Sequence, residues 1–94
     1  MATFILREYE TVAPTGEPVQ PPKTQTNDVA VDTPTRLGAN TVYADVTPSA
    51  DMYFYIVVGA AGVNASATNG HKVLAGETRG FPVSQGARPW VAGH

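Results

Sequence analysis

Between Thr41 and Thr68 apolar residues fall at every second position, and turn residues are what interrupts them. That spacing is the period of a pleated strand, whose successive side chains point to opposite faces. Thr47-Pro48-Ser49-Ala50-Asp51 supplies turn chemistry between two such runs. A hairpin centred there sets Val46 opposite Met52, Ala44 opposite Phe54 and Val42 opposite Ile56, with Asp45 and Tyr43 meeting Tyr53 and Tyr55 on the other face. The next break, Gly59-Ala60-Ala61-Gly62, places Val58 against Val63, Ile56 against Ala65 and Phe54 against Ala67. Both turns assign the same residues to the core, and a one-residue slip in either would turn them to water.

The same logic extends along the chain. Ala2 to Tyr9 alternates, with Phe4 and Leu6 on one face and Ile5, Arg7 and Tyr9 on the other, and reads as a strand. A short strand is expected around Val29 and Val31. Asn69-Gly70 is a strong turn signal, followed by two short strands, Lys72 to Ala75 and Thr78 to Val83, around Ala75-Gly76-Glu77. Pro82 and Pro89 lack a ladder donor, so their strands should lie at an edge or begin beside the proline. Trp90 and Val91 belong to a closing strand. Helix formers never gather into an amphipathic run, and nine glycines and eight prolines punctuate the chain. The expected fold is all-β: a small antiparallel β-sandwich or barrel of about seven strands with an extended Pro-rich N-terminal segment.

That segment, Glu10 to Thr26, carries Pro14, Pro18, Pro21 and Pro22 among Thr, Glu, Gln and Lys. It reads as polyproline-like and unfit for a ladder, with a reach of about 50 Å if stretched. The chain then divides into residues 1–26, a strand plus extended arm, and residues 27–94, the antiparallel β domain. A connection of this length is either a mobile linker or an arm lying on a neighbouring subunit. The spacing of Pro18 and Pro21 matches a polyproline ligand but lacks a flanking basic residue code.

With 94 residues, one domain is expected, with a modest core that self-association would support. The net charge is −2 and no basic run occurs, so nucleic acid is not an expected partner. The absence of cysteine excludes disulfides, thiol nucleophiles and cysteine-held zinc. Met1 to Arg7 shows no basic, apolar signal pattern, and no stretch reaches the roughly 18 apolar residues of a membrane helix. Synthesis and assembly are therefore expected in the cytoplasm. Asn64-Ala65-Ser66 matches a glycosylation sequon but is read as part of a strand.

Few residues offer chemistry. His71 sits beside a turn and His94 is the last residue, too little for a metal triad or catalytic dyad. Ser49, Ser66 and Ser84 lie in no nucleophile-elbow motif, and Asp45 and Asp51 read as turn-flanking carboxylates. Gly59 to Gly62 joins two strands, whereas a phosphate-binding loop opens a helix. The expectation is no enzyme, no cofactor, no metal and no small-molecule ligand. Tyr43, Tyr53, Tyr55 and Val57 are expected together on the face opposite the core, as a contact patch or under a second sheet.

The stretch from Val42 onward resembles small β-sandwich virion proteins of tailed bacteriophages, the capsid decoration or cement type. The resemblance runs through Val42-Tyr43-Ala44-Asp45-Val46, Met52 to Gly59, Val63 to Thr68, Lys72-Val73-Leu74-Ala75-Gly76-Glu77 and Phe81-Pro82-Val83-Ser84-Gln85-Gly86. It implies a structural subunit on the capsid surface, often a homotrimer, that clamps the major capsid protein lattice and has no catalytic residues. Phe4, Leu6, Pro14, Pro18, Pro21, Pro22, Tyr43, Tyr53, Tyr55 and Trp90 are the candidate contact residues. Strand Ala2 to Tyr9 would pair with an edge on a neighbour. A tail, fibre or neck protein of the same fold is the nearest rival. A carbohydrate-binding or adhesion module stacking Tyr53, Tyr55 or Trp90 on sugars is the rival from another class.

Overall fold

In the computed structural model, which describes residues 2–59 and 63–94, every regular element is a strand. The strands are β1 (Thr3–Tyr9), β2 (Thr24–Ala30), β3 (Thr35–Arg36), β4 (Tyr43–Pro48), β5 (Met52–Val57), β6 (His71–Val73), β7 (Arg79–Pro82) and β8 (Trp90–Gly93). They form two antiparallel four-stranded sheets, ordered β2-β1-β4-β7 and β3-β8-β5-β6. The protein is an all-β sandwich. β7 carries Pro82 at a sheet edge and β8 begins directly after Pro89, where the missing donors are tolerated.

The core lies between the sheets. Phe4, Leu6, Ala44 and Val46 enter it from the first sheet, and Met52, Phe54, Val73 and Val91 from the second. Phe4 and Phe54 meet edge to face at 4.9 Å between ring centroids. Gly93 makes this approach possible, since a Cβ there would press on Met52, Phe4 and Phe54 at 2.8 to 3.1 Å. Each fully buried Phe or Leu contributes roughly 1.5–3 kcal/mol over its exposed state.

Strands β4 and β5 do not form the expected hairpin. Ser49 to Asp51 carries the chain from one sheet to the other, so β4 pairs with β1 and β7 while β5 pairs with β8 and β6. Ala44, Val46, Met52 and Phe54 do face the core, but from opposite walls. The polar groups of the crossing serve its anchoring. Ser49 exchanges backbone and side-chain hydrogen bonds with Thr3, and Asp51 Oδ1 accepts from Ala75 N at 2.9 Å. Tyr43 therefore lies on the outer face of the first sheet and Tyr53 and Tyr55 on that of the second, not together.

Val63 to Thr68 is not a strand. Asn69 Oδ1 accepts from Ser66 N and Oγ, and Asn69 Nδ2 donates to Asn64 O, so side chains satisfy the backbone groups a ladder would need. Of the break expected before this segment, Ala60, Ala61 and Gly62 lie outside the described residues.

The N-terminal segment also differs from the expected arm. β1 sits between β2 and β4 with both edges occupied, so it has no edge left for a neighbour. Phe4 and Leu6, expected as contact residues, are each 1% exposed. Residues Thr11 to Val19 fold back on themselves: Val12 pairs with Pro18, and Val19 N donates to Thr11 O at 3.0 Å. Gly16, at φ 90, closes the turn with its N–H on Ala13 O. The whole fold measures 34 Å in its longest direction, well short of the stretched length of that segment. Thr24 to Thr26 then join the ladder as part of β2.

All four edges are blunted. β3 has two residues and β6 three, β7 ends in Pro82, and β2 carries a bulge where Asp28 takes φ 56. Because Phe4 is a core residue, Phe4→Ala should cost about 3–5 kcal/mol in urea unfolding; a loss under about 1 kcal/mol would place the ring outside the core.

Candidate functional site

The two outer faces of the sandwich differ in chemistry. On the first sheet, Arg7, Tyr9, Asp45 and Thr47 project outward in register. Arg7 Nη1 donates to Asp45 Oδ1 and to Thr47 Oγ1, both at 3.2 Å, and Arg7 Nε donates to Gln25 Oε1 at 3.1 Å. The Tyr9 hydroxyl donates to Asp45 Oδ2 at 2.9 Å and accepts from Gln20 Nε2 at 3.2 Å. Asp45 is only 7% exposed, a burial a carboxylate tolerates when paired with a cation and hydrogen-bonded. Gln20 thus ties the Pro-rich loop across this face. Tyr43 lies beside Tyr9, with ring centroids 5.9 Å apart, and covers Gly80 so closely that a Cβ there would collide with its phenol.

On the second sheet, Tyr53, Tyr55 and Val57 run down the outer side of β5. Tyr55 stands opposite Ala92 and Val57 opposite Trp90 on β8, while Tyr53 stands opposite Lys72 on β6. His94 extends β8 beside Tyr53 through two backbone hydrogen bonds, and its Nδ1 meets Asp32 Oδ1 at 2.8 Å. The Arg36 guanidinium sits over the Trp90 ring, 5.7 Å from its centroid, a cation–π arrangement. Tyr53, Tyr55 and Trp90 are half-buried, so each presents part of its ring or tip outward. The result is an aromatic strip bordered by Arg36 and Lys72.

Of the candidate contact residues, this face gathers Tyr53, Tyr55 and Trp90. Tyr43 is on the far side of the sandwich. Pro14 and Pro21 are exposed on the β1–β2 loop, and Pro18 and Pro22 are half-buried at its base. Of the groups a serine hydrolase would combine, Asp45 is held by Arg7 and Tyr9, Ser66 by Asn69 and Ser49 by Thr3, while His71 is on the inward phase of β6. The sequence reading missed the Arg7–Tyr9–Asp45 network and took Asp45 for a turn carboxylate. Its signal was available, since Arg7, Tyr9 and Asp45 all occupy the polar phase of their alternating strands. It also missed Arg36 and Lys72, whose positions depend on strand pairing that alternation does not specify.

Compared with protein-family models, curated proteins and solved structures, the chain matches none of them.

Burial pushes the Tyr9 phenol above its ordinary 10.0, and the Asp45 carboxylate adds to the rise against the opposing effects of Gln20 and Arg7. The unfolded chain gives up this proton first as pH rises. The Tyr9 contribution is therefore intact below about pH 10 and is lost as pH climbs through the folded value. Tyr9→Phe should cost about 1–3 kcal/mol at neutral pH by leaving Asp45 a donor short, and urea unfolding between pH 9 and 11 should fall more steeply for the wild type than for the variant. Parallel profiles would contradict the buried phenol.

Proposed function

We propose that this protein is a structural virion subunit of the capsid decoration type, which docks on the major capsid protein lattice through the outer face of its second sheet. The aromatic strip of Tyr53, Tyr55 and Trp90 is the observation that carries this reading. Tyr and Trp combine large apolar area with a polar tip and few rotatable bonds, the composition enriched where proteins meet. Arg36 and Lys72 at its margins favour a partner surface bearing carboxylates. Blunted edges turn association away from strand addition and toward faces and loops.

The exposed Pro14 and Pro21 of the braced β1–β2 loop add a second, pre-shaped contact whose ordering on binding loses little entropy. In a homotrimer on a repeating lattice, avidity would multiply modest contacts. A tail, fibre or neck subunit of the same fold is the nearest rival, and the resemblance of Val42 onward fits it equally. Stacking on sugar rings is the reading from another class. The Tyr and Trp rings suit it, but the cationic margins suit it less than the acids and amides that grip sugar hydroxyls.

Shells assembled from the cognate major capsid protein provide the test. Wild-type protein should saturate them, and Tyr53→Ser/Tyr55→Ser should lower affinity at least about tenfold while retaining its unfolding midpoint. Equal occupancy by the variant, or a wild type that ignores shells and is retained on a glycan resin, would overturn the proposal.

A further inference from the structure

The sandwich is not closed along the side where β6 and β7 form its edges. A cleft of about 280 Å³ opens there between the two sheets. Its floor is apolar, built from Phe54, Ile56, Val73 and Phe81, and it reaches into the core. Its lips are not. Arg79 stands opposite Val46 in the β4–β7 register, and His71 stands opposite Phe54 in the β5–β6 register. Val46 and Phe54 are core residues, so both polar side chains are on the inward phase of their edge strands, one from each sheet.

An inward charge on an edge strand discourages pairing with other chains. That explanation accounts for one cation on one edge. It does not account for two nitrogen donors that converge, from separate sheets, on one apolar space of ligand size. Among the described residues the Arg79 side chain has no hydrogen-bond or ion-pair partner; Asp45 is engaged by Arg7, and Asp32 by the His94 ring. A dry apolar cavity of roughly 150 Å³ accepts a benzene molecule, so this cleft has room for a medium alkyl chain or for an aryl ring on a short chain. A guanidinium binds carboxylate with two parallel N–H donors, and a site that is apolar below and cationic at the mouth favours a molecule of matching polarity.

We propose that the cleft between β6 and β7 binds a small amphipathic carboxylate, whose apolar body enters between the sheets and whose carboxylate is held at the mouth by Arg79, with the His71 ring on the opposite lip. This site goes beyond the capsid reading and shares no residue with the aromatic strip, so either stands or falls without the other. It also departs from the sequence expectation of no small-molecule ligand, because alternation does not reveal where two sheets fail to close.

The full chain, labelled with 15N, should be titrated with octanoate, octanol and octylamine. Octanoate should bind saturably with shifts at His71, Val73, Arg79, Gly80 and Phe81, and octanol and octylamine should bind at least about tenfold more weakly. Arg79→Gln should weaken octanoate about tenfold or more and leave octanol unchanged. Ile56→Trp, which fills the cleft, should abolish both. If that variant does not fold, the Arg79→Gln comparison decides alone. Absence of saturable octanoate binding, shifts confined to Tyr53, Tyr55 and Trp90, or an unaltered octanoate affinity in Arg79→Gln would overturn the proposal.

Discussion

Phe4 and Phe54 touch across the sandwich, and the arrangement of the rest follows from that contact. One ring comes from the first strand and the other from the fifth, so the contact fixes one sheet against its partner. Gly93, in the last strand, lies against both rings and must lack a side chain to do so. Both ends of the described chain are thereby built into the core. A modest domain gains most from such non-local contacts, since each one also fixes long stretches of intervening chain.

With the sheets fixed in this way, the crossing at Ser49 to Asp51 decides what each outer face carries. It sends Tyr43 and Asp45 to one side and Tyr53 and Tyr55 to the other. The first face is closed by hydrogen bonds that include a part-buried ion pair, and the Pro-rich loop is attached to it through Gln20. Such a network is effective because every member has a partner, and the low local dielectric strengthens each bond. The second face has no comparable cover among the described residues, and its aromatic side chains are bordered by cations. One fold thus separates a face closed by its own side chains from a face that leaves its aromatic rings half-exposed, with a third, smaller opening where the sheet edges part.

Alternation in the sequence was enough to assign strand character and to sort side chains into inward and outward sets. Ala44, Val46, Met52 and Phe54 all lie on the expected core-facing side, whereas Phe4 and Leu6, expected as contact residues, share that core. Pairing was less legible. The Thr47 to Asp51 turn chemistry is the same whether the next strand returns beside its predecessor or crosses to the opposing sheet, because both routes keep the same side chains in the core. That degeneracy also misplaced the tyrosines. At Val63 to Thr68 the alternation was genuine, yet Ser66 and Asn69 captured the backbone locally, a competition that hydrophobic period does not register. The Pro-rich segment misled for a related reason: its prolines exclude a regular ladder, but a single bridge at Val12 and Pro18 suffices to fold it back.

The path of the chain at Ser49 to Asp51 is the feature on which the placement of every surface rests, and cross-strand nuclear Overhauser contacts in the labelled protein measure it directly. Backbone contacts should link residues of β4 to β1 and β7, such as Asp45 with Arg7 and with Gly80, and residues of β5 to β8 and β6, such as Tyr55 with Ala92 and Tyr53 with Lys72. A ladder of backbone contacts joining Ala44 to Phe54 and Val46 to Met52 would contradict the account, since it would return the tyrosines to a common face.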